Sequence, residues 1–538
     1  MTETKLQPEA KFVGKTLGSL SSLATLIIVI LVDLGLGWFT YKLLQLGYYP
    51  LSIVFIIIIL FLTFVFLNPK AKPIRWMAIG ISALILFSIF PIFYTVYNAF
   101  TNYGDRHFIT KTQAIEKIQE QKYLPKEGKN YTWTAYQSSD KSHYLLFLKD
   151  QAAGTTYLMT QTEGDQGGKA IDLVAGQNGI GELDADGSPK TIEGYTKMNK
   201  LLAASDRTLP TIKFGPQDRT IQISSPNTAA ELLPLYKYDA DTNTFTDQET
   251  GAVYKDVDGT FTGPAGKTLI PGYIANIGLD NFKKFVTSPG LRGPLITIII
   301  WNFIFAFFSV FLTFSLGLAI SILYGDPSFK GKKILRTLLL IPYTIPSLIT
   351  ILIWRGMFNP QLGVINRIIE SVFNVANGPD WFLDASLARI AILIVNLWLG
   401  YPYFMLVTSG ALQSIPGDIY EAAQVDGASP WKRFFSITLP LLLVSVGPLL
   451  IASFIFNFNN FNLIYAFVGG GPPIPTATTQ AGYTDILISY VYNLAFGSRG
   501  INYGYASAIS LFVFAVVAVM SLLQFRFTNM WEEVGENV

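Results

Sequence analysis

The chain has 538 residues, half of them hydrophobic and 14% charged, with a mean hydropathy of +0.38. That composition belongs to a protein that crosses a membrane several times. The formal net charge is only +2, which leaves no footprint of nucleic-acid binding. Cys is absent, so disulfides, thiolate metal sites and Cys nucleophiles are excluded together. The two histidines, His107 and His143, are too few and too dispersed to build a zinc site.

A span of the hydrocarbon core takes roughly 20 apolar residues. Eight runs qualify, near Leu20–Leu43, Tyr48–Leu67, Trp76–Tyr97, Leu295–Tyr324, Thr337–Trp354, Ile390–Leu412, Leu439–Phe467 and Tyr503–Phe525. The first is too long for a signal-peptide core and lacks a small-residue cleavage pattern, so it is expected to stay attached as a span. Asp33, midway through it, is an isolated acid for which a structural hydrogen bond is expected. The fifth run is the shortest and is interrupted by Pro342 and Pro346. Direction follows from the basic residues. Lys5, Lys11, Lys15, Lys70, Lys72, Arg75, Lys330, Lys332, Lys333, Arg336, Lys432, Arg433 and Arg526 fall on one side, thirteen in all. The opposite short connections hold six: Lys42, Arg292, Arg355, Arg367, Arg389 and Arg499. Both termini are therefore expected in the cytoplasm.

Between the third and fourth spans lies a polar insert, Asn98–Thr287, carrying 20 Lys/Arg and 23 Asp/Glu, more than half of all charges in the chain. Its length suffices for an independent domain. Runs such as Tyr131–Tyr136 and Thr220–Ile223 alternate in the strand manner between Gly/Asp/Asn turns, which predicts a mainly β domain outside the cell membrane. The organisation expected is then 1–97 for the N-terminus and three spans, 98–290 for the extracytoplasmic domain, 291–527 for five further spans and 528–538 for a cytoplasmic tail. Docking of a partner suits the insert better than catalysis. Asp239–Asn243 begins like a calcium loop, but the sixth position is Thr244 rather than Gly and the twelfth is Thr250 rather than Glu, so a hairpin turn is expected. Gly14-Lys15-Thr16 and Gly266-Lys267-Thr268 lack the earlier Gly of a phosphate-binding loop, having Glu9 and Phe261 there. The chain thus carries no ATPase of its own, no metal site and no catalytic spacing, and it reads as no enzyme.

Polar residues inside spans mark pathways or helix contacts. On the sixth span Asn396, Leu399, Gly400 and Tyr403 sit at i, i+3, i+4 and i+7, one helical stripe. Tyr343 and Ser347 on the fifth are i and i+4, beside prolines that break backbone hydrogen bonds, and irregular backbone is tolerated at membrane depth only against protein or a cavity. On the seventh, Asn457 and Asn460 share one face, while Asn459 and Asn462 share another and read as interhelical glue. The first three sets offer amides, phenols, a hydroxyl and aromatic planes without charge, the inventory a neutral polyol needs. Gly400 leaves room for a ring beside Tyr403.

The connection after the sixth span reads Glu421-Ala422-Ala423, then Asp426-Gly427, then after nine residues Ile437-Thr438-Leu439-Pro440. It predicts a short helix, a Gly turn, a restart at Pro430 and a second helix running to Pro440. This spacing resembles the cytoplasmic loop, here 413–440, by which membrane subunits of bacterial ABC importers dock onto their ATPases. Val395–Tyr403, Phe456–Phe461, Ala481–Asp485, Ile341–Ser347, the eight spans and the insert after span three resemble the larger permease subunit of maltose/maltodextrin importers. The likeness is strong over 278–527, weaker over the first three spans, and over the insert rests on position and size. It implies a type I ABC importer permease fold: a polytopic α-helical membrane protein of eight transmembrane helices in the bacterial inner membrane. It further implies a sugar site at Tyr343, Ser347, Asn396, Leu399, Gly400, Tyr403, Asn457 and Asn460. ATPase coupling would fall to Glu421, Ala422, Ala423, Asp426, Gly427, Ile437, Leu439 and Pro440. The partners implied are a smaller permease, two ATPase subunits that hold the ATP and Mg, an extracytoplasmic sugar-binding protein, the sugar itself and membrane lipid. A permease for another oligosaccharide or polyol is the alternative; a membrane-anchored receptor or enzyme would need catalytic spacings in the insert, and these are missing.

Overall fold

The computed structural model describes residues 9–536 apart from 163–168, 172, 207, 217–219, 326–330 and 499. Lys5, Lys330 and Arg499 of the charge count lie outside the described residues. Two compact units emerge, Met1–Asp105 with Asn276–Val538, and Arg106–Ala275.

Among the described residues of the first unit, seven helices are long and apolar enough to cross a membrane. They comprise α1 (Glu9–Gln45), α2 (Tyr49–Leu67), α3 (Ala78–Ala99) and α4 (Pro289–Gly325). Beyond the bent pair α5 (Lys332–Thr344) and α6 (Ser347–Met357) come α7 (Ala385–Gln413) and, past the short α8 (Gly417–Val425), α9 (Leu439–Phe458). The short α10 (Phe461–Phe467) and α11 (Leu487–Phe496) precede the last span, α12 (Tyr503–Glu536). The helix α12 runs on through most of the segment expected as a tail. Asp33 accepts a hydrogen bond from the Thr63 hydroxyl at 2.7 Å, tying α1 to α2 as its isolation suggested.

Three departures from straight spans have local causes. The fifth span is two helices meeting at 94°. Ile345 and Pro346 are extended there, because the residue before a proline is pushed out of the helical region. Tyr343 and Ser347 therefore stand on different helices and do not share one helical face. The seventh span also breaks: α9 ends at Phe458, Asn459 leaves helical geometry, and Asn460 caps α10 by accepting from the Leu463 amide. Asn457 and Asn460 are thus separated by a chain break in the helix, and the expected common face does not exist. Asn459 donates to Ile455 O at 3.2 Å, a bond within its own segment rather than between helices. Third, wide π-helical turns at Ile85–Ile89 and Phe434–Thr438 precede Pro91 and Pro440. They absorb the hydrogen bond that a proline nitrogen cannot make, so the helix begun at Pro430 continues through Pro440 to Phe458 rather than stopping there.

The tightest helix pair is α4 with α7. Ser309, Thr313, Gly317 and Ser321 recur every fourth residue on α4, and all are buried. A Cβ on Gly317 would lie 2.7 Å from the Met405 amide nitrogen, so the backbones nearly touch. Ser321 donates to Met405 O at 2.8 Å and pairs with the Thr408 hydroxyl. Small residues allow such approach, and van der Waals packing then holds helices together inside lipid.

The second unit is built on β1 (Asn130–Ser138), β2 (Tyr144–Asp150), β3 (Thr156–Thr160), β4 (Ala170–Ile171), β5 (Tyr195–Lys197), β6 (Gln222–Ser225) and β7 (Thr228–Ala230). They pair in the order β4-β3-β2-β1-β7-β6 with β5 alongside β1, all antiparallel. Leu146 and Leu148 of β2 enter one hydrophobic cluster, Leu145 and Phe147 another, as a two-residue period demands when both faces are covered. A meander of β8 (Tyr236–Asp239), β9 (Thr244–Asp247), β10 (Val253–Val257) and β11 (Thr260–Thr262) follows. Asp239 accepts from the Asp241 amide and the Thr242 hydroxyl, so the calcium-like sequence is a hairpin turn. The unit is narrower than 98–290: 276–289 belong with the helices, where buried Asn281 donates to Ala99 O and Thr101 O.

Candidate functional site

The coupling segment is a folded unit rather than a connector. In α8, Glu421 and Ala422 are exposed and Ala423 is half-buried, and Asp426, the residue that follows the helix, is exposed. The helix ends at Gly427, whose φ of +74° is the left-handed conformation that only glycine takes without steric cost. The Gly427 amide donates to Gln424 O and the Ala428 amide to Ala423 O, closing the last turn. Ser429 then caps the restart at Pro430 by accepting from the Lys432 amide. Two side-chain clips fold the segment back: Tyr420 and Thr438 hydroxyls lie 3.0 Å apart, and Arg433 donates to Gln424 Oε1 at 3.4 Å. Ile437 and Leu439 are half-buried, and Pro440 is exposed. Val425 (88% exposed) and Trp431 (74%), with Phe435 stacked on Trp431 at 5.9 Å, leave an apolar outer surface beside Glu421 and Ala422.

Inside the spans, the structure joins two of the expected groups. Asn396 Nδ2 donates to Asn457 Oδ1 at 2.9 Å, and Asn457 Nδ2 donates to Ser453 O at 2.8 Å. Both asparagines are buried. Leu399 packs beside the cluster formed by Trp301, Ile351 and Phe467. Tyr403 is half-buried, edge-on to Phe404 at 5.1 Å. The hydrogen that a side chain would replace on Gly400 points at Thr313: an added Cβ would sit 2.7 Å from its Cγ2. On that side, the room Gly400 leaves is filled by α4, not by open space beside Tyr403. Tyr343 is 58% exposed and Ser347 is also exposed, one on each side of the bend. Asn460 has its carbonyl oxygen engaged as the cap of α10.

The helix break is held by residues to which sequence reasoning assigned no part in the site. Asn302 of α4, fully buried, donates to Phe458 O at 3.0 Å and accepts from the Leu487 amide at 2.8 Å. It therefore satisfies the last carbonyl of α9 and the first amide of α11 at once. Trp301 donates to Thr484 O at 3.2 Å, and Arg389 donates twice to Tyr483 O while lying 4.8 Å over the Trp301 ring. The Ala481–Asp485 segment is thereby fixed to α4 and α7. Asp485, buried, accepts from the Gly482 amide, the Ser489 hydroxyl and Asn493. Burial pushes its carboxyl up to about 7, while those three donors pull the other way. Only the every-fourth-residue ladder of α4 had a local signal that could have found it; Asn302, Arg389 and Asp485 are single polar residues without a spacing.

Comparison with known proteins decides what this architecture is. The model of the "Binding-protein-dependent transport system inner membrane component" family matches 317–529, and that of the "N-terminal of TM subunit in PBP-dependent ABC transporters" matches 83–162. The maltose/maltodextrin transport system permease protein MalF of Vibrio vulnificus (strain YJ016) is 35% identical over 509 residues, 92% of each chain. The protein of the same name from Escherichia coli (strain K12) is 34% identical over 514 residues, 93% of this chain and 95% of its own. This chain belongs to the MalF family of ABC importer permeases. A bacterial ABC transporter that imports alginate, among solved structures, aligns with 47% of this chain and 84% of its own at 22% identity and a TM-score of 0.40. The permease is accordingly a membrane-embedded transporter subunit rather than an enzyme, with the type I permease fold and a β-rich unit between its N-terminal and C-terminal helices. Importers of this family work with an ATPase and a binding protein.

Proposed function

We propose that this permease carries maltose and maltodextrins inward through the bacterial inner membrane by alternating access. Both termini and the coupling segment would face the cytoplasm, and the β-rich unit the outside, where it would help hold a sugar-binding protein. A smaller permease completes the pathway, and two ATPase subunits bind the ATP and Mg. The observation that carries the reading is the folded coupling segment, an exposed acidic and Ala-rich helix turned by Gly427 and clipped at Tyr420–Thr438, which suits it to pass on a push from an ATPase. Identity near 35% over nine-tenths of the chain to maltose/maltodextrin permeases supports the sugar. The uncharged, mutually hydrogen-bonded Asn396 and Asn457, with Tyr403, Asn460, Tyr343 and Ser347, are polar groups suited to hydroxyls, and Leu399 and Gly400 complete the proposed lining.

The test is reconstitution with the neighbouring permease, ATPase and binding-protein genes, followed by uptake of a panel of labelled sugars. Maltose and maltotriose should enter and stimulate ATP hydrolysis; selective entry of a different oligosaccharide or polyol would reassign the substrate while keeping the mechanism. Sidedness has its own test in this Cys-free chain. Ser142→Cys should react with an impermeant maleimide from outside and Ser436→Cys only after permeabilisation. Reaction of Ser142→Cys only from inside would overturn the orientation.

A further inference from the structure

Behind the coupling segment lies a pocket of about 700 Å³ that the transport cycle as described does not use. Lys332, Lys333 and Arg336 of α5 line one side, and Arg433 with Tyr420 of the coupling segment line another. Among the described residues no carboxylate contributes to the lining, and none of Lys332, Lys333 and Arg336 forms an ion pair. The C-terminal ends of α4 and α7 also open here, each contributing about half a negative charge. Four formal positive charges exceed that by about three, and the first turn of α5 holds no acid to offset them. Like charges gathered at the start of a helix repel one another and oppose its dipole. Ile322, Leu412 and Phe434 give the same pocket an apolar floor.

We infer that this pocket binds a phosphate-bearing anion, and that the occupant ties the coupling segment to α5. The phosphate answers the four cations; the apolar floor suits the glycerol and first methylenes of an anionic phospholipid, although a free phosphate satisfies the same charges. Basic pockets at the cytoplasmic ends of membrane helices take lipid headgroups on these grounds. Because Arg433 and Tyr420 belong to the coupling segment while Lys332, Lys333 and Arg336 belong to the bent span, an occupant would bridge the ATPase-facing element and the helix that leads to Tyr343. The headgroup source rests on the cytoplasmic orientation proposed above; the anion site itself does not.

The purified full chain in neutral detergent, analysed by native mass spectrometry with phosphatidylglycerol against phosphatidylcholine, tests the inference. Wild type should retain phosphatidylglycerol preferentially, and Lys333→Gln/Arg336→Gln should weaken that preference roughly tenfold or more. Lys70→Gln/Lys72→Gln, on another basic segment, should leave it intact. These variants exchange exposed cations for exposed amides, and size-exclusion elution verifies that they remain folded. Equilibrium dialysis with labelled orthophosphate forms the second arm: retention of orthophosphate but not of phosphatidylglycerol, with the same dependence on Lys333 and Arg336, assigns the site to a free phosphate. Equal binding of both probes by all three proteins, or an equal loss in the Lys70/Lys72 variant, overturns the site. Since binding in detergent is indifferent to sidedness, a reversed labelling result at Ser436 would remove the orientation and leave this result standing.

Discussion

Gly400 offers the sharpest separation between packing and pathway. In Gly400→Ala the new Cβ would meet Thr313 Cγ2 at 2.7 Å, closer than real Cβ contacts come, and α4 would have to shift. Overpacking of this kind destabilises by about 1–3 kcal/mol, against about 1 kcal/mol gained from the better helix propensity of Ala. Thr313→Ser removes the offending methyl. The next atoms, Thr313 Cβ at 3.5 Å and Oγ1 at 3.9 Å, lie at ordinary contact, and the hydroxyl keeps its 2.6 Å bond to Ser309 O. The double variant Gly400→Ala/Thr313→Ser should therefore melt within about 0.5 kcal/mol of wild type, with a favourable coupling energy of about 1–2 kcal/mol between the sites. Thermal inactivation in detergent measures stability, and maltose uptake in proteoliposomes measures function. If uptake returns with stability, Gly400 acts through the α4–α7 contact; if stability returns and uptake does not, its other side bears on the sugar. A double variant no more stable than Gly400→Ala alone would refute the geometric argument.

Asn302→Ala should be more damaging than its distance from the coupling segment suggests, because Phe458 O and the Leu487 amide both lose their partner in a buried place. Each orphaned group typically forfeits about 1–3 kcal/mol, so a fall in the inactivation midpoint together with lost uptake is expected, and Asn302→Gln should not rescue the geometry. Gly427→Val should uncouple ATP hydrolysis from uptake, whereas Gly427→Asn, which tolerates positive φ, should retain most coupling; equal activity of the two, measured as sugar moved per ATP, would dismiss the turn. For Asp485, burial holds the proton that an unfolded carboxylate releases near pH 4, so the native state binds more protons between about 4 and 7. Stability should fall as pH rises through that window and level off above it. Inactivation midpoints of wild type should show that decline, and Asp485→Asn, neutral throughout, should flatten it.

Span number and the β-rich insert were legible because each rests on a long repeated signal: some twenty apolar residues, or alternation across several strands. The coupling turn was legible at single-residue resolution, since Gly427 and Pro430 place a stop and a restart within four positions, and the structure adds the Ser429 cap between them. The breaks were less so. Pro342 and Pro346 announced one, but nothing marks Asn459 as the end of a helix, for Asn is neither a strong breaker nor a strong former. What ends α9 there is Asn302, 156 residues upstream of the carbonyl it caps. The eight candidate sugar residues came from periodicity, yet the one direct contact among them, Asn396–Asn457, crosses between helices where periodicity has no reach. The ladder from Ser309 to Ser321 was readable all along; a search for large polar groups overlooks serine, threonine and glycine, whose part is to be small.

The bend between α5 and α6 divides one span between two packing groups. α5 is tied to the later part of α7, where Tyr401 donates to Leu339 O at 2.9 Å, while Ile351 of α6 is set among Trp381, Leu463 and Phe467 and the earlier turns of α7 at Ala391, Ile392 and Val395. A straight helix can be flexed only by stretching its ladder of hydrogen bonds. At Ile345–Pro346 the ladder is already interrupted. Rotation of one half against the other needs only a change of backbone dihedrals, so a displacement delivered at the coupling end can swing Tyr343 relative to Ser347 without any helical bond being broken. The span is jointed like a finger, and the joint lies beside the residues proposed to touch the sugar.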